Sequence, residues 1–182
     1  MDKYYEVSFE GKSFKLPKAG IGENKFVAVF DPYSDINMSR AAANELYKKI
    51  KEKNLDKVDV IISAEVKGAA LAQRIADLCN TDFLVFRKKI KINFEDPVIA
   101  RVKTFTSGTS QLFVDKKDLE KYSGKTALFV DDVISTGSTI LAIREVLTKY
   151  NIDVKSYCCV FKESDDVKCD LTYVSNLPIF KE

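Results

Sequence analysis

Two adjacent aspartates and a hydroxyl-rich loop are the residues with the clearest chemical potential. Asp131 and Asp132 follow the apolar run Ala127–Val130, and the loop Ser135–Thr139 leads into a helical pattern. Ionised carboxylates only accept hydrogen bonds, so a neighbouring pair suits the vicinal hydroxyls of a sugar. The unpaired N–H groups of a helix start, approached closely at Gly137 and joined by hydroxyl donors, suit a phosphate. A sugar 5-phosphate satisfies both halves of the motif.

The same residues also allow a structural interpretation, in which an aspartate caps the helix and the hydroxyls fill a turn. A cap needs one carboxylate, whereas two neighbouring acids at a buried strand end cost repulsion and desolvation, which favours a functional role. The loop lacks the lysine of a nucleoside-triphosphatase P-loop and has one glycine where a dinucleotide-binding motif has three. We therefore do not expect a nucleotide polyphosphate or a dinucleotide here.

Two further loops place charges after predicted strands. EVKG (65–68) opens a helix after the apolar run Val58–Ile62, and Arg87 and Lys88 follow the run Phe83–Phe86. A lysine at a helix N-terminus suits an anion, although a turn glycine beside a surface lysine is the simpler alternative. Ligands of parallel sheets bind beyond the carboxyl ends of the strands, so we expect these loops to face the aspartate pair.

Short apolar runs that alternate with amphipathic helices predict an α/β fold with an open, mostly parallel, twisted sheet and helices on both faces. We expect a single domain over residues 1–182. A small N-terminal hairpin, or hood, is predicted over about residues 1–25, with its turn at Glu10 and Gly11. The charged segment 88–110 carries few regular signals and is predicted to be a flexible lid loop, with a plain exposed loop as the alternative.

Further strands are expected at Phe26–Phe30, Tyr157–Phe161 and Leu171–Val174, and helices at Ser39–Lys53, Ala69–Leu78 and Ser138–Tyr150.

Composition narrows the function classes. The 182 residues include no histidine, which excludes Ser-His and Cys-His catalysis and the common metal ligand sets. The four cysteines show no CxxC spacing, which indicates the reduced thiols of a cytoplasmic protein. A net charge of +2 does not favour nucleic acid or a membrane surface as a partner. The charged N-terminus is unlike a signal peptide, and no apolar run is long enough for a membrane span.

The stretch ALFVDDVISTGSTI (127–140) resembles the ribose-phosphate binding motif of the type I phosphoribosyltransferases. The resemblance extends over about Phe26–Phe161 and is strongest in this motif. It implies 5-phospho-α-D-ribose 1-diphosphate as the donor substrate, used with Mg²⁺ that is bound through the substrate near Asp131 or Asp132. In this family the two acids hold the ribose hydroxyls. The 5-phosphate would be held by Ser135, Thr136, Gly137, Ser138 and Thr139.

EVKG also resembles the diphosphate-binding loop Glu-Ala-Arg-Gly of adenine phosphoribosyltransferases, and the Arg-Lys pair resembles one that purine-specific members place near diphosphate and base. The diphosphate contacts implied in this way are Glu65, Val66, Lys67, Gly68, Arg87 and Lys88. The stretch 106–114 resembles their lid sequence Glu-Tyr-Gly-Thr-x-x-Leu-Glu-Ile, with a threonine where the family has the glutamate credited with helping the base react. The implied lid residues are Lys91, Thr106, Gly108 and Thr109.

The base-selecting parts resemble the family less closely. FVAVFDPYSDI (26–36) resembles Phe-Pro-Gly-(apolar)-Phe-Arg-Asp-Ile, with Ser34 at the arginine position. VFKE (160–163) places Lys162 where hypoxanthine- and xanthine-using relatives contact the 6-oxo group, although a solvated strand end explains this lysine equally well. Base contacts are expected from Phe30, Ile36, Val133 and Lys162.

The sequence therefore predicts a purine salvage phosphoribosyltransferase, closest to the adenine type, that forms a nucleoside 5′-monophosphate and diphosphate. A homodimer is implied by the resemblance alone. One alternative keeps the fold and uses a 6-oxopurine such as xanthine. Another is a regulator that senses the donor without catalysis, although such proteins usually carry a DNA-binding segment or a strongly basic face. About 25 N-terminal residues are too few for a winged-helix domain.

Overall fold

The computed structural model describes residues 2–104, 108–164, 167 and 169–181. Within these residues the elements follow the predicted alternation of strands and helices. In chain order they are β1 Tyr4–Phe9, β2 Lys12–Gly22, β3 Lys25–Ala28, α1 Ile36–Glu52, β4 Val60–Ala64, α2 Lys67–Cys79, β5 Asp82–Phe86, β6 Pro97–Thr104, β7 Gly108–Asp115, α3 Lys116–Lys121, β8 Thr126–Ile134, α4 Ser138–Lys149, β9 Asp153–Lys162, β10 Leu171–Asn176 and β11 Ile179–Lys181.

The central sheet has five parallel strands in the order β10-β9-β8-β4-β5. Every residue of β4 is buried, because both faces of the sheet are covered. Val60 and Ile62 pack into a cluster with α4, whereas Ile61 packs into a second cluster with α1 and α2. The predicted α/β sheet with helices on both faces is confirmed. None of the described helices is both long and apolar enough to cross a bilayer.

A four-stranded antiparallel sheet, in the order β1-β2-β3-β11, contains the predicted N-terminal hairpin. Its first turn lies at Glu10 and Gly11, which both have positive φ. Strand β11, near the end of the described chain, completes this sheet and was not predicted. The rings of Phe9 and Phe30 pack against Phe161 of β9 at centroid distances of 5.9 and 5.3 Å. These ring contacts fix the small sheet against the central one.

The segment predicted to be a lid loop is partly regular. Strands β6 and β7 form an antiparallel pair in register from Pro97↔Asp115 to Thr104↔Gly108. In β6, Ala100 and Val102 are buried beside α4, while Arg101 between them is exposed. This alternation was present in the sequence, but the surrounding charges obscured it. Motion of the segment stays a prediction.

Candidate active site

The hydroxyl-rich loop forms a small cup at the carboxyl end of β8. The strand continues through both aspartates to Ile134, beyond its predicted end at Val130, because Asp131 pairs with Cys159 of β9. Helix α4 then begins at Ser138 after Gly137, which has a φ of 74° and supplies no side-chain cap. The Ser138 N–H donates to Thr136 Oγ1 at 3.4 Å. Asp131 and all five predicted phosphate-binding residues line one cavity of about 70 Å³.

The negative charges of the adjacent residues Asp131 and Asp132 repel each other. The Asp131 carboxyl is half-buried, and its Oδ1 accepts the backbone N–H of Asp132 at 2.9 Å. Burial is the main cause that raises the pKa of Asp131 well above its usual range, and the charge of Asp132 raises it further. Hydroxyl donors from a ligand would relieve this cost, because they stabilise the ionised form.

The predicted diphosphate loop lies directly against this pair. A Cβ added to Gly68 would lie 2.2 Å from Asp131 Oδ1 and 2.8 Å from Ser63 Oγ. Only a glycine permits this approach. The Ser63 hydroxyl is fully buried and has no hydrogen-bond partner in the described part of the chain. The sequence analysis did not select this serine, although a hydroxyl within an apolar strand next to EVKG was an available signal.

The Glu65 carboxylate contacts two residues of the predicted diphosphate site, Arg87 and Lys88, and one of the predicted lid, Lys91. Its Oε1 lies 3.0 Å from Arg87 Nη1 and 3.8 Å from Lys91 Nζ, and its Oε2 accepts the Lys88 N–H at 2.8 Å. Partial burial alone would raise the pKa of Glu65, but these hydrogen bonds and positive charges bring it below its ordinary value. Glu65 is therefore an ionised acceptor that positions these basic residues, and the peptide bond between Glu65 and Val66 is cis.

Tyr33, which the sequence analysis did not select, contacts the predicted diphosphate loop. Its hydroxyl donates to the Val66 carbonyl oxygen at 2.6 Å. Partial burial and then the charges of Asp132, Asp31 and Glu65 raise the pKa of Tyr33, so the hydroxyl stays a donor. Nothing in DPYSD (31–35) pointed to this contact, because it depends on how the N-terminal sheet approaches α2.

The four predicted base-binding residues lie in different environments. The Phe30 ring is buried in the core, whereas Ile36 begins α1 and is 67% exposed. Val133 is partly buried against the cluster that contains Phe30, and Lys162 Nζ lies 5.4 Å from the Tyr173 ring centroid. The Phe30 side chain is thus occupied by core packing, and its carbonyl oxygen accepts a hydrogen bond from Lys67 Nζ.

Glu163 is a further acidic group that sequence reasoning missed. Its half-buried carboxyl follows Lys162 at the end of β9, and its N–H donates to the Ile134 carbonyl oxygen. Burial first, and the charge of Asp132 second, raise the pKa of Glu163. Because Glu163 follows the end of β9 and pairs with the end of β8, it adds a third carboxyl at this edge of the sheet.

Of the predicted lid residues, Lys91 joins the Glu65 cluster. Gly108 begins β7 with a φ of 83°, and the exposed Thr109 pairs with Lys103 of β6. Thr106 lies outside the described residues. The structure therefore brings Lys91 to the diphosphate loop and places Gly108 and Thr109 at the far end of the β6–β7 hairpin.

The acid pair fits a magnesium ion that is bound mainly through substrate. In residues 2–104, 108–164, 167 and 169–181, no cluster of three or more histidine, cysteine or acidic side chains is arranged to hold a metal ion by itself. Mg²⁺ at phosphate sites is usually bound by one or two carboxylates together with substrate oxygens and waters. Asp131 and Asp132 would supply those carboxylates.

The fold and these loops define an α/β protein with anion-binding loops at the carboxyl edge of a parallel sheet. Residues 32–178 match the family described as "Phosphoribosyl transferase domain". Because the match spans most of the chain, the protein belongs to the phosphoribosyltransferase family, as the resemblance predicted.

Individual relatives differ in the base that their names give. The chain is 30% identical over 138 residues to the hypoxanthine/guanine phosphoribosyltransferase of Methanotorris igneus, covering 75% of this chain and 70% of that protein. It is 32% identical over 94 residues to the adenine phosphoribosyltransferase of Brachyspira hyodysenteriae, covering 52% and 53%. The structure of adenine phosphoribosyltransferase from Thermoanaerobacter pseudethanolicus superposes with a TM-score of 0.68 at 18% identity, over 96% of this chain and 95% of that chain. This superposition confirms the fold.

Proposed function

We propose that the protein is a purine salvage phosphoribosyltransferase that uses 5-phospho-α-D-ribose 1-diphosphate as the donor. A purine ring nitrogen would form a bond to ribose C1 as the bond from C1 to the diphosphate oxygen breaks, and the nitrogen would lose its proton to solvent. The contact between Gly68 and Asp131 carries the proposal, because it sets the candidate diphosphate loop beside the candidate ribose site. Such a juxtaposition is what a donor with both groups on one ribose requires.

The protein's part in this reaction is to bind, orient and exclude water. Displacement at an anomeric carbon passes through an oxocarbenium-like state, so alignment of the reactants and stabilisation of the leaving group dominate. Asp131 and Asp132 would hold the ribose hydroxyls, and residues 135–139 the 5-phosphate. Lys67, Arg87 and Lys91 would stabilise the diphosphate. Mg²⁺, when bound with the donor, neutralises charge that develops on the leaving diphosphate.

Adenine is the base that we propose first, on the resemblance of segments 26–36 and 106–114 to the adenine enzymes. A 6-oxopurine is the second candidate. Lys162, at the carboxyl end of β9 and in register with Ile134 of β8, favours it because an ammonium can donate to a 6-oxo group but not to a 6-amino group. The name of the Methanotorris relative also favours it.

The direct test is a base-by-base assay. Purified protein, donor and Mg²⁺ would be incubated separately with adenine, hypoxanthine, guanine and xanthine, and nucleotide and diphosphate would be quantified. We expect adenine to give adenosine 5′-monophosphate and an equal amount of diphosphate. If nucleotide forms with a 6-oxopurine but not with adenine, the 6-oxopurine would replace adenine as the proposed substrate. Tight donor binding without base-dependent diphosphate release would reject the enzyme and favour the sensing regulator.

The double variant Asp131→Asn with Asp132→Asn tests the site within that assay. Loss of preorganised charge at a reacting centre typically lowers turnover by about 100-fold or more, and both amides can keep the strand pairing of β8. The exposed Asp77→Asn on α2 is the matched control. Unchanged turnover in the double variant would contradict the assignment of the acid pair.

The homodimer and the cytoplasmic location stay predictions. Sedimentation equilibrium on the purified chain, whose mass is 20.5 kDa, would distinguish a dimer from a monomer. Fractionation of cells that express the native protein would test the location.

A further inference from the structure

Two hydrogen bonds connect the segment before α1 to the loop that begins α2. The Tyr33 hydroxyl donates to the Val66 carbonyl oxygen at 2.6 Å, and Lys67 Nζ donates to the Phe30 carbonyl oxygen at 3.1 Å. Val66 and Lys67 are adjacent in sequence, Phe30 and Tyr33 are three residues apart, and each contact joins residues more than 30 positions apart. The candidate diphosphate loop is therefore attached to the N-terminal part of the chain as well as to the central sheet.

Tyr33 is presented by an ordered turn. The Asp31 side chain accepts the Tyr33 N–H at 3.2 Å, and the Asp31 carbonyl oxygen accepts both the N–H and the hydroxyl of Ser34, at 3.1 and 2.8 Å. Asp35 then caps α1 by accepting the N–H groups of its second and third residues. The Tyr33 side chain is 58% exposed, so core packing does not hold it. Its direction is set by this turn and by the bond to Val66.

The Val66 carbonyl belongs to the peptide unit at which α2 begins. Val66 occupies the N-cap position and supplies no side-chain cap, so the first N–H groups of α2 are left for another acceptor. The peptide between Val66 and Lys67 is trans, so its carbonyl and its N–H point in opposite directions. An acceptor fixed toward Tyr33 therefore also fixes the direction of the Lys67 N–H.

We propose that Tyr33 is a positioning residue of the diphosphate site, and that its hydroxyl holds the Val66–Lys67 peptide in the orientation that binds the anion. The inference rests on the proposed function, because it assigns the loop 65–68 to diphosphate. It adds a residue from the N-terminal segment that makes no contact with diphosphate itself. The Val66 carbonyl, as the N-cap carbonyl of α2, also accepts the first intrahelical hydrogen bond. Loss of the Tyr33 hydroxyl therefore removes one of two donors to this carbonyl, which leaves the loop less ordered before the anion binds.

The test compares two ligands on Tyr33→Phe by calorimetric titration. Inorganic diphosphate with Mg²⁺ reports the loop 65–68, and ribose 5-phosphate reports the separate cup at 135–139. A neutral hydrogen bond contributes enough to weaken diphosphate binding by about fivefold when it is lost. We expect that loss for diphosphate, with ribose 5-phosphate unchanged. Tyr4→Phe, which removes the hydroxyl of a tyrosine that is 48% exposed on β1, is the matched control and leaves both affinities unchanged.

Each other outcome is decisive. Equal diphosphate affinity in wild type and Tyr33→Phe would overturn the positioning role and leave the proposed function intact. A parallel loss for both ligands would show a general structural effect and would also overturn the role. If the wild-type protein binds neither ligand, the proposed function fails and this inference fails with it. Thermal unfolding of the variant separates these cases from simple misfolding.

Discussion

Gly68 approaches Asp131 so closely that a methyl group on its Cα would lie 2.2 Å from the carboxylate Oδ1 and 3.0 Å from the Asp131 Cα. Gly68 is the second residue of α2, which follows β4, and Asp131 lies within β8, which precedes α4. The glycine is required by space here, because its φ does not lie in the left-handed region. The contact ties the geometry of one predicted subsite to that of the other.

Gly68→Ala is expected to damage both subsites. Its methyl group would meet Asp131 Oδ1 and the buried Ser63 hydroxyl, so the loop or the carboxylate must move. Overpacking of this kind typically costs about 1–3 kcal/mol of unfolding free energy. Donor binding should weaken by more than that loss of stability explains, since the displaced groups belong to the proposed site. Calorimetric titration with the donor, together with chemical denaturation, measures both effects.

Gly20→Ala is the matched control for this substitution. Gly20 lies in β2, where an added Cβ would meet only the Phe26 ring at 3.7 Å, which is an ordinary contact distance. Its donor affinity should equal that of wild type. If Gly68→Ala also binds the donor with wild-type affinity, the close approach of Gly68 to Asp131 is not required for donor binding.

Asp131→Asn is expected to stabilise the protein at neutral pH while impairing its function. Burial and Asp132 raise the pKa of Asp131 in the folded state above its unfolded value. Such a carboxyl favours folding when protonated, and this contribution is lost as the pH rises through the folded-state pKa. Asparagine cannot ionise, so the variant should melt at a higher temperature at pH 7. The gain should disappear near pH 4, about the ordinary pKa of aspartate.

Asp59→Asn is a control for which the expected change in melting temperature at pH 7 has the opposite sign. The Asp59 carboxylate accepts the N–H and the hydroxyl of Thr126 at 2.8 and 2.7 Å, and these bonds lower its pKa. A lowered pKa stabilises the folded state above the unfolded pKa, and that contribution is lost as the pH falls. Asp59→Asn should therefore melt below wild type at pH 7. If Asp131→Asn also melts below wild type at pH 7, the conclusion that burial and Asp132 raise the pKa of Asp131 would be contradicted.

The sequence was sufficient to predict the central sheet, because its strands are unbroken apolar runs between amphipathic helices. β11 was missed because three residues, of which Ile179 is exposed, carry too little pattern to mark a strand. The β6–β7 hairpin was not predicted because Arg101 and Lys103 alternate with the buried residues, and such a run of charges is typical of an irregular loop. Pairing with a distant strand, and not local propensity, decides such segments.

The site was predictable where its chemistry is continuous in sequence. Asp131 and the loop 135–139 form one stretch, and the structure gathers them around one cavity. Tyr33 and Ser63 lie beside the candidate site only because segments that are distant in sequence meet in space, and no spacing rule contains that information. The same holds for Phe30, whose ring is used by the core although its position resembles a base-contacting one.

Arg87→Ala is expected to weaken diphosphate binding by about tenfold to a hundredfold, which is the usual scale for hydrogen bonds to charged groups. The guanidinium is partly exposed and is held 3.0 Å from Glu65, so it is available to a second anion. The fold should persist, because the backbone of Arg87 makes its own pair of hydrogen bonds with Phe113, each of 2.7 Å. Titration with inorganic diphosphate and Mg²⁺ measures the loss.

Arg74→Ala is the control that shows whether the loss of an arginine elsewhere in the chain changes diphosphate affinity. Arg74 pairs with Asp77 on the same face of α2, away from the Glu65 cluster, so diphosphate affinity should be unchanged. Ribose 5-phosphate provides the internal reference for both variants. An equal loss for the two ligands in Arg87→Ala would mean that Arg87 supports the whole edge of the sheet and is not specific to the diphosphate.

Hydrogen exchange should divide the predicted lid into a fixed part and a responsive part. Residues 98–102 and 110–114 lie in a regular antiparallel ladder with buried side chains, so their amides should exchange slowly with or without donor. Residues 89–93 include Ile90 and Ile92, whose side chains are 53% and fully exposed, and should exchange faster in the free protein. If this shorter segment closes over the donor, only its amides should gain protection when donor and Mg²⁺ are added. Protection that appears instead across 98–114 would show that the entire hairpin moves, and no change in either range would contradict a lid.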